Sequence, residues 1–71
     1  MATLDEAQRS DLDATMWSAL RVLHDRQQLL QQLARWHADR GDSLASQRHA
    51  RRAADLGERA ESLRRMIEKP P

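Results

Sequence analysis

No cysteine occurs among the 71 residues, which excludes disulfides and thiolate metal sites and leaves the redox compartment open. Phe and Tyr are absent as well, so two tryptophans supply all the aromatic surface. One Val, one Ile and two Thr are too few to build a sheet. The two glycines, Gly41 and Gly57, cannot make a phosphate-cradling loop. The two prolines, Pro70 and Pro71, stand where they only stop a helix. No apolar run approaches the roughly 20 residues of a membrane span. A formal net charge of +1 sets up no strong field toward nucleic acid or membrane. The opening MATLDEAQRS is acidic and has no apolar stretch of the kind a signal peptide needs. A soluble, cytoplasmic chain is the expectation.

What is present favours helix. Ala, Leu, Arg, Gln and Glu dominate, and all are good helix formers. Two starts compete for the first helix. Thr3 and Glu6 have the spacing of a capping box, and Ser10 with Asp11 and Asp13 places acid on a first turn. The second is preferred, with an extension of the helix back to Leu4 left open, so residues 1–10 read as an acidic N-terminal segment and residues 11–69 as one helical hairpin. Helix one then covers about 11–39, the turn 40–43, and helix two about 44–68. Gly41 suits the left-handed position that closes a helix, and Asp42 or Ser43 caps the next one. So short a connection makes the helices antiparallel neighbours.

Heptad spacing defines the faces. On helix one, Met16, Leu23, Leu30 and His37 form one row, and Leu12, Ala19, Arg26 and Leu33 a second. Leu20 and Ala34 widen the stripe on one side, and Val22, Leu29 and Trp36 on the other. On helix two, His49, Leu56 and Leu63 alternate with Ala53, Ala60 and Ile67, bordered by Ala50, Ala54 and Gly57. A light helix faces a heavy one. The apolar side of helix one is wider than helix two can cover, and soluble monomers rarely leave such a patch open. The expected remedy is a two-fold homodimer, giving an all-α four-helix bundle. Docking of the same face on another domain or protein is the other remedy. The expected core and interface is therefore Leu12, Met16, Ala19, Leu20, Leu23, Leu29, Leu30, Leu33, Trp36, Ala53, Leu56, Ala60, Leu63 and Ile67, with Gly41, Asp42 and Ser43 at the turn. Glutamate at Leu30 or Leu33 should dissociate the assembly, because it buries an unpaired charge.

Few residues carry chemistry. His37 and His49 flank the turn, with Asp39 and Asp42 near in sequence, yet no H-x-x-x-H or E-x-x-H motif supports a metal site. Packing at the bundle end is the simpler role for both histidines, and a surface position for His24. Asp5, Glu6, Asp11 and Asp13 have no pocket to face one another across, and Asp11 and Asp13 suit the positive end of a helix dipole. No nucleophile motif is present, so no enzyme, no metal and no cofactor is expected. Arg48, Arg51 and Arg52, continued by Arg59, Arg64 and Arg65, form a basic run. Asp55, Glu58 and Glu61 interrupt it, with Arg51–Asp55, Asp55–Arg59 and Glu61–Arg65 at the i,i+4 spacing of solvated pairs, which counts against nucleic acid. A small dimeric RNA-binding hairpin is the alternative reading.

The run from Thr15 to Gly41, with Met16, Trp17, Ala19, Leu20 and Arg21 opening it and Arg40–Gly41 at its corner, resembles the helical-hairpin tail of some bacterial chemotaxis-type protein-glutamate methylesterases. Ala60, Leu63 and Arg64 match its close, and His24 and Asp25 replace an acidic pair common there. The resemblance covers about residues 12–67 and implies a non-catalytic oligomerisation or docking appendage. That family's catalytic residues lie in an α/β domain with no counterpart in this chain.

Overall fold

The computed structural model describes residues 4–69. Two helices account for nearly all of them, α1 (Leu4–Asp39) and α2 (Ser43–Glu68), packed against each other as a hairpin. Their direction follows from two contacts: the His37 ring stacks on His49 near the corner, and Gln27 meets Gly57 farther along. The helices are antiparallel.

The helix α1 begins before the expected start at Asp11. Leu4 opens it, with Asp5 and Glu6 in the first turn, so residues 4–10 are continuous with the helix. Ser10, Asp11 and Asp13 do not interrupt it, and the Thr15 hydroxyl donates back to the Asp11 carbonyl at 2.9 Å, a bond that helix interiors tolerate. The proposed capping residue Thr3 lies outside the described residues, as do Pro70 and Pro71.

The corner is shorter than expected by one residue, because Ser43 is already helical. Its chemistry is local and complete. Gly41 takes φ +78°, the left-handed conformation, and donates to the Ala38 carbonyl at 3.0 Å, while the Asp42 N–H reaches the His37 carbonyl at 2.9 Å. Two carbonyls that the helix end would leave unpaired are thereby satisfied. Asp42 then caps α2, its carboxylate accepting from the Ala45 N–H at 3.1 Å. At the far end the Lys69 N–H closes α2 on the Arg65 carbonyl.

The seam between the helices follows heptad spacing on both. On α2 it uses the two rows expected, from His49 through Ala53, Leu56, Ala60 and Leu63 to Ile67. On α1 it joins Met16, Leu23, Leu30 and His37 to Leu20, Gln27 and Ala34. The second row is therefore not Leu12, Ala19, Arg26 and Leu33. Of these, Leu12, Ala19 and Arg26 are exposed and Leu33 is half-buried; Leu29 and Trp36 are exposed too. A physical reason lies at the midpoint. The expected row would press the Arg26 guanidinium between the helices, where an unpaired charge is costly. The observed row places the neutral Gln27 amide there, against Gly57, the one seam residue of α2 with no side chain in its way.

Small residues set the spacing. Leu20, Ala34, Ala53 and Ala60 are buried, and among the described residues no large side chain is fully enclosed. The result is a thin rod, 60 × 18 × 11 Å, with a radius of gyration of 16.9 Å where a compact chain of this length would have about 11 Å.

The two glycines should respond to alanine in opposite ways. At Gly41 the space is open, so the cost of alanine is that of the left-handed backbone, about 1 kcal/mol. At Gly57 a Cβ would stand 2.6 Å from the Gln27 amide nitrogen, the far end of a flexible side chain that can swing aside. The gain in helix propensity, up to ~1 kcal/mol, should then dominate. Urea denaturation should show Gly41→Ala below the parent and Gly57→Ala at or above it.

Candidate association surface

Rotation of the seam toward Leu20, Gln27 and Ala34 leaves the opposite edge of the α1 stripe in solvent. Leu12, Val22, Leu29 and Trp36 keep 48–57% of their surface exposed, with half-buried Leu33 among them. They fall in two adjacent heptad rows and so form one ridge along α1. Beside it runs a shallow groove floored by Leu29, Leu30 and Leu56 and rimmed by Arg26, Arg52, Asp55 and Arg59. Farther along, Leu63 and Met66 continue the apolar surface on α2. The surface is thus an apolar ridge with a mostly basic margin.

Its corner end is built from rings. The Arg40 guanidinium lies 3.6 Å over the Trp36 ring, a cation–π contact that covers one face of the indole. Trp36 meets His37 edge-on at 4.9 Å between centroids. His37 stacks on His49 at 5.1 Å with the planes 14° apart. The His37 Nδ1 stands 3.7 Å from the Asp42 carboxylate, which also caps α2. The two histidines do meet across the corner, as their places in sequence allow. Among the described residues, however, no three His, Cys, Asp or Glu side chains converge to hold a metal ion. The His49 Nδ1 is buried and has no hydrogen-bond partner.

The opposite flank of the hairpin has a different character. Trp17, about 100° around the helix from Met16, borders a hollow with Leu20, Arg21, His24 and Arg64. Its indole is isolated from the ridge that carries Trp36. Near the end of α2, Arg64 and Arg65 reach the carboxylates of Glu68 at 3.0 Å and Glu61 at 3.7 Å. The hydrogen bond to Glu68 holds the Arg64 guanidinium above its ordinary range, with smaller help from the charges of Glu68 and Glu61. Both pairs are exposed, and pairs of this kind add little to stability. They make this part of the basic run a solvated, internally balanced face.

Sequence reasoning missed two features. Gln27, polar between its apolar row neighbours Leu20 and Ala34, sits in the seam; the glycine thirty residues later is its signal. Arg40 was read as part of the turn and instead shields Trp36; an i,i+4 Trp–Arg spacing is the available clue. No described helix is long and apolar enough to cross a membrane. Comparison with protein-family models, with curated proteins and with solved structures finds no match.

His49→Leu tests the histidine stack. Leucine keeps comparable bulk and removes a buried nitrogen without a partner, so thermal melting should be unchanged or higher, by up to about 1 kcal/mol. A midpoint several degrees lower would mean that the stacked rings themselves hold the corner.

Proposed function

We propose that this hairpin is a non-catalytic association module that pairs with a second copy of itself through the Leu12–Val22–Leu29–Leu33–Trp36 ridge, forming a four-helix bundle. Its resemblance to methylesterase tails fits an appendage that joins or docks a signalling enzyme. The observation that carries the reading is surface area. The chain exposes 6042 Å², against about 4,500 Å² for a compact protein of 8.2 kDa. The excess of roughly 1,500 Å² exceeds the ~800 Å² that each partner contributes to a stable interface. The ridge of Leu12, Val22, Leu29 and Trp36 contributes large aliphatic and aromatic side chains to that exposed surface. With four buried residues among those described, Leu20 the one large side chain of the four, a single hairpin holds a small part of the apolar burial that usually stabilises a domain.

The seam also refines the choice of variant. Leu30 lies between the two helices of one chain, so a charge there disrupts the hairpin itself. Leu29 lies on the ridge. Light scattering over a dilution series should give about twice 8.2 kDa for the parent. Leu29→Glu should raise the dimer dissociation constant at least tenfold, while Trp17→Gln on the opposite flank leaves the mass unchanged. A sharply melting single-chain species at micromolar concentration would overturn the reading. Nucleic acid co-purifying with the parent, seen as excess absorbance at 260 nm, would favour the RNA-binding alternative instead.

A further inference from the structure

The two helices do not end together. Met16 is the first α1 residue in the seam and Ile67 the last of α2, which stops at Glu68. Every described side chain from Asp5 to Thr15 is exposed. The start of α1 therefore projects beyond α2 for on the order of 15 Å. These first turns extend a helix already formed and have no packing from α2 beside them. They also carry Leu12, the first large side chain of the exposed ridge.

Charge separates along the same axis. The projecting segment holds Asp5, Glu6, Asp11 and Asp13 against Arg9 alone. The corner at the other end of the rod holds Arg40, Arg48, Arg51 and Arg52 against Asp39 and Asp42. One end is acidic and the other basic.

Resting on the self-association proposed above, we infer that the second copy docks antiparallel, so that the acidic projection of each chain lies beside the basic corner of its partner. A two-fold axis across the middle of α1 brings this about twice, once at each end. It places opposite charges together, supplies a neighbour to the uncovered first turns of α1, and runs Leu12 of one ridge toward Leu33 and Trp36 of the other. The parallel arrangement does the reverse. It sets projection against projection and corner against corner, and like charges brought together at an interface oppose association. The charge pattern thus selects one orientation from two that the apolar ridge alone would accept.

The absence of cysteine makes the test direct. Ala38, exposed near the corner, is replaced by cysteine and spin-labelled, and distances are measured by pulsed electron resonance. Antiparallel docking puts the two labels roughly 40–50 Å apart, and mixing chains labelled at Ala14 and at Ala38 gives distances within about 20 Å. Dimers whose Ala38 labels lie within about 20 Å of each other are parallel and overturn this inference while leaving self-association standing. A single-chain mass at all concentrations overturns both. The charges are read separately. Asp11→Lys with Asp13→Lys should raise the dissociation constant at least tenfold at low salt, and mixing that chain with Arg48→Glu/Arg51→Glu should restore pairing. An unchanged constant at low salt overturns the role given to the charges.

Discussion

Close approach of α1 and α2 is the constraint on which the molecule depends. Ala53 and Ala60 are almost completely enclosed because the facing helix lies against them. Gly57 gives the Gln27 side chain its place between the helices. Helices that come this near fill their seam with little side-chain volume. The gain is a definite register, since a large residue at Ala53 or Ala60 would push the helices apart. The loss is apolar burial, which scales with the area removed from water. Tight spacing and a meagre core are two results of the same choice of residues.

From that constraint the exposed ridge follows. Once the seam turns toward Leu20, Gln27 and Ala34, the large side chains of the neighbouring rows have nowhere to go within one chain. Leu12, Val22, Leu29 and Trp36 remain on the surface, and Arg40 covers one face of Trp36. The hairpin therefore divides its large apolar residues by row: Leu20, Leu23 and Leu30 face α2 in the seam, and Leu12, Val22, Leu29 and Trp36 stay on the surface.

Much of this was legible in the residues and their spacing. The number of helices, their antiparallel course and the α2 rows follow from heptad spacing, and Gly41 and Asp42 announce the corner through backbone chemistry that acts over a few residues. The choice of the second α1 row was not legible by counting apolar residues. Leu12, Ala19 and Leu33 compete well with Leu20 and Ala34 on that count. The decision turns on Arg26 against Gln27, and on a glycine in the other helix that accepts the amide, which is a pairwise fact across the fold. The early start of α1 was obscured for a related reason. Ser10, Asp11 and Asp13 suit a cap, but a helix already under way carries them on its exposed side. The exposed ridge was visible as excess width, while its members depended on the rotation of α1 by one row.

The scarcity of enclosed large side chains also shapes how the protein responds to temperature. The heat-capacity change on unfolding grows with the apolar surface newly hydrated. A lone rod that hides so little would have a shallow, nearly flat dependence of free energy on temperature and would melt over a wide interval. Sharp cooperativity in such a chain would have to come from surface hidden between molecules, so the steepness of melting separates a lone rod from an associated one.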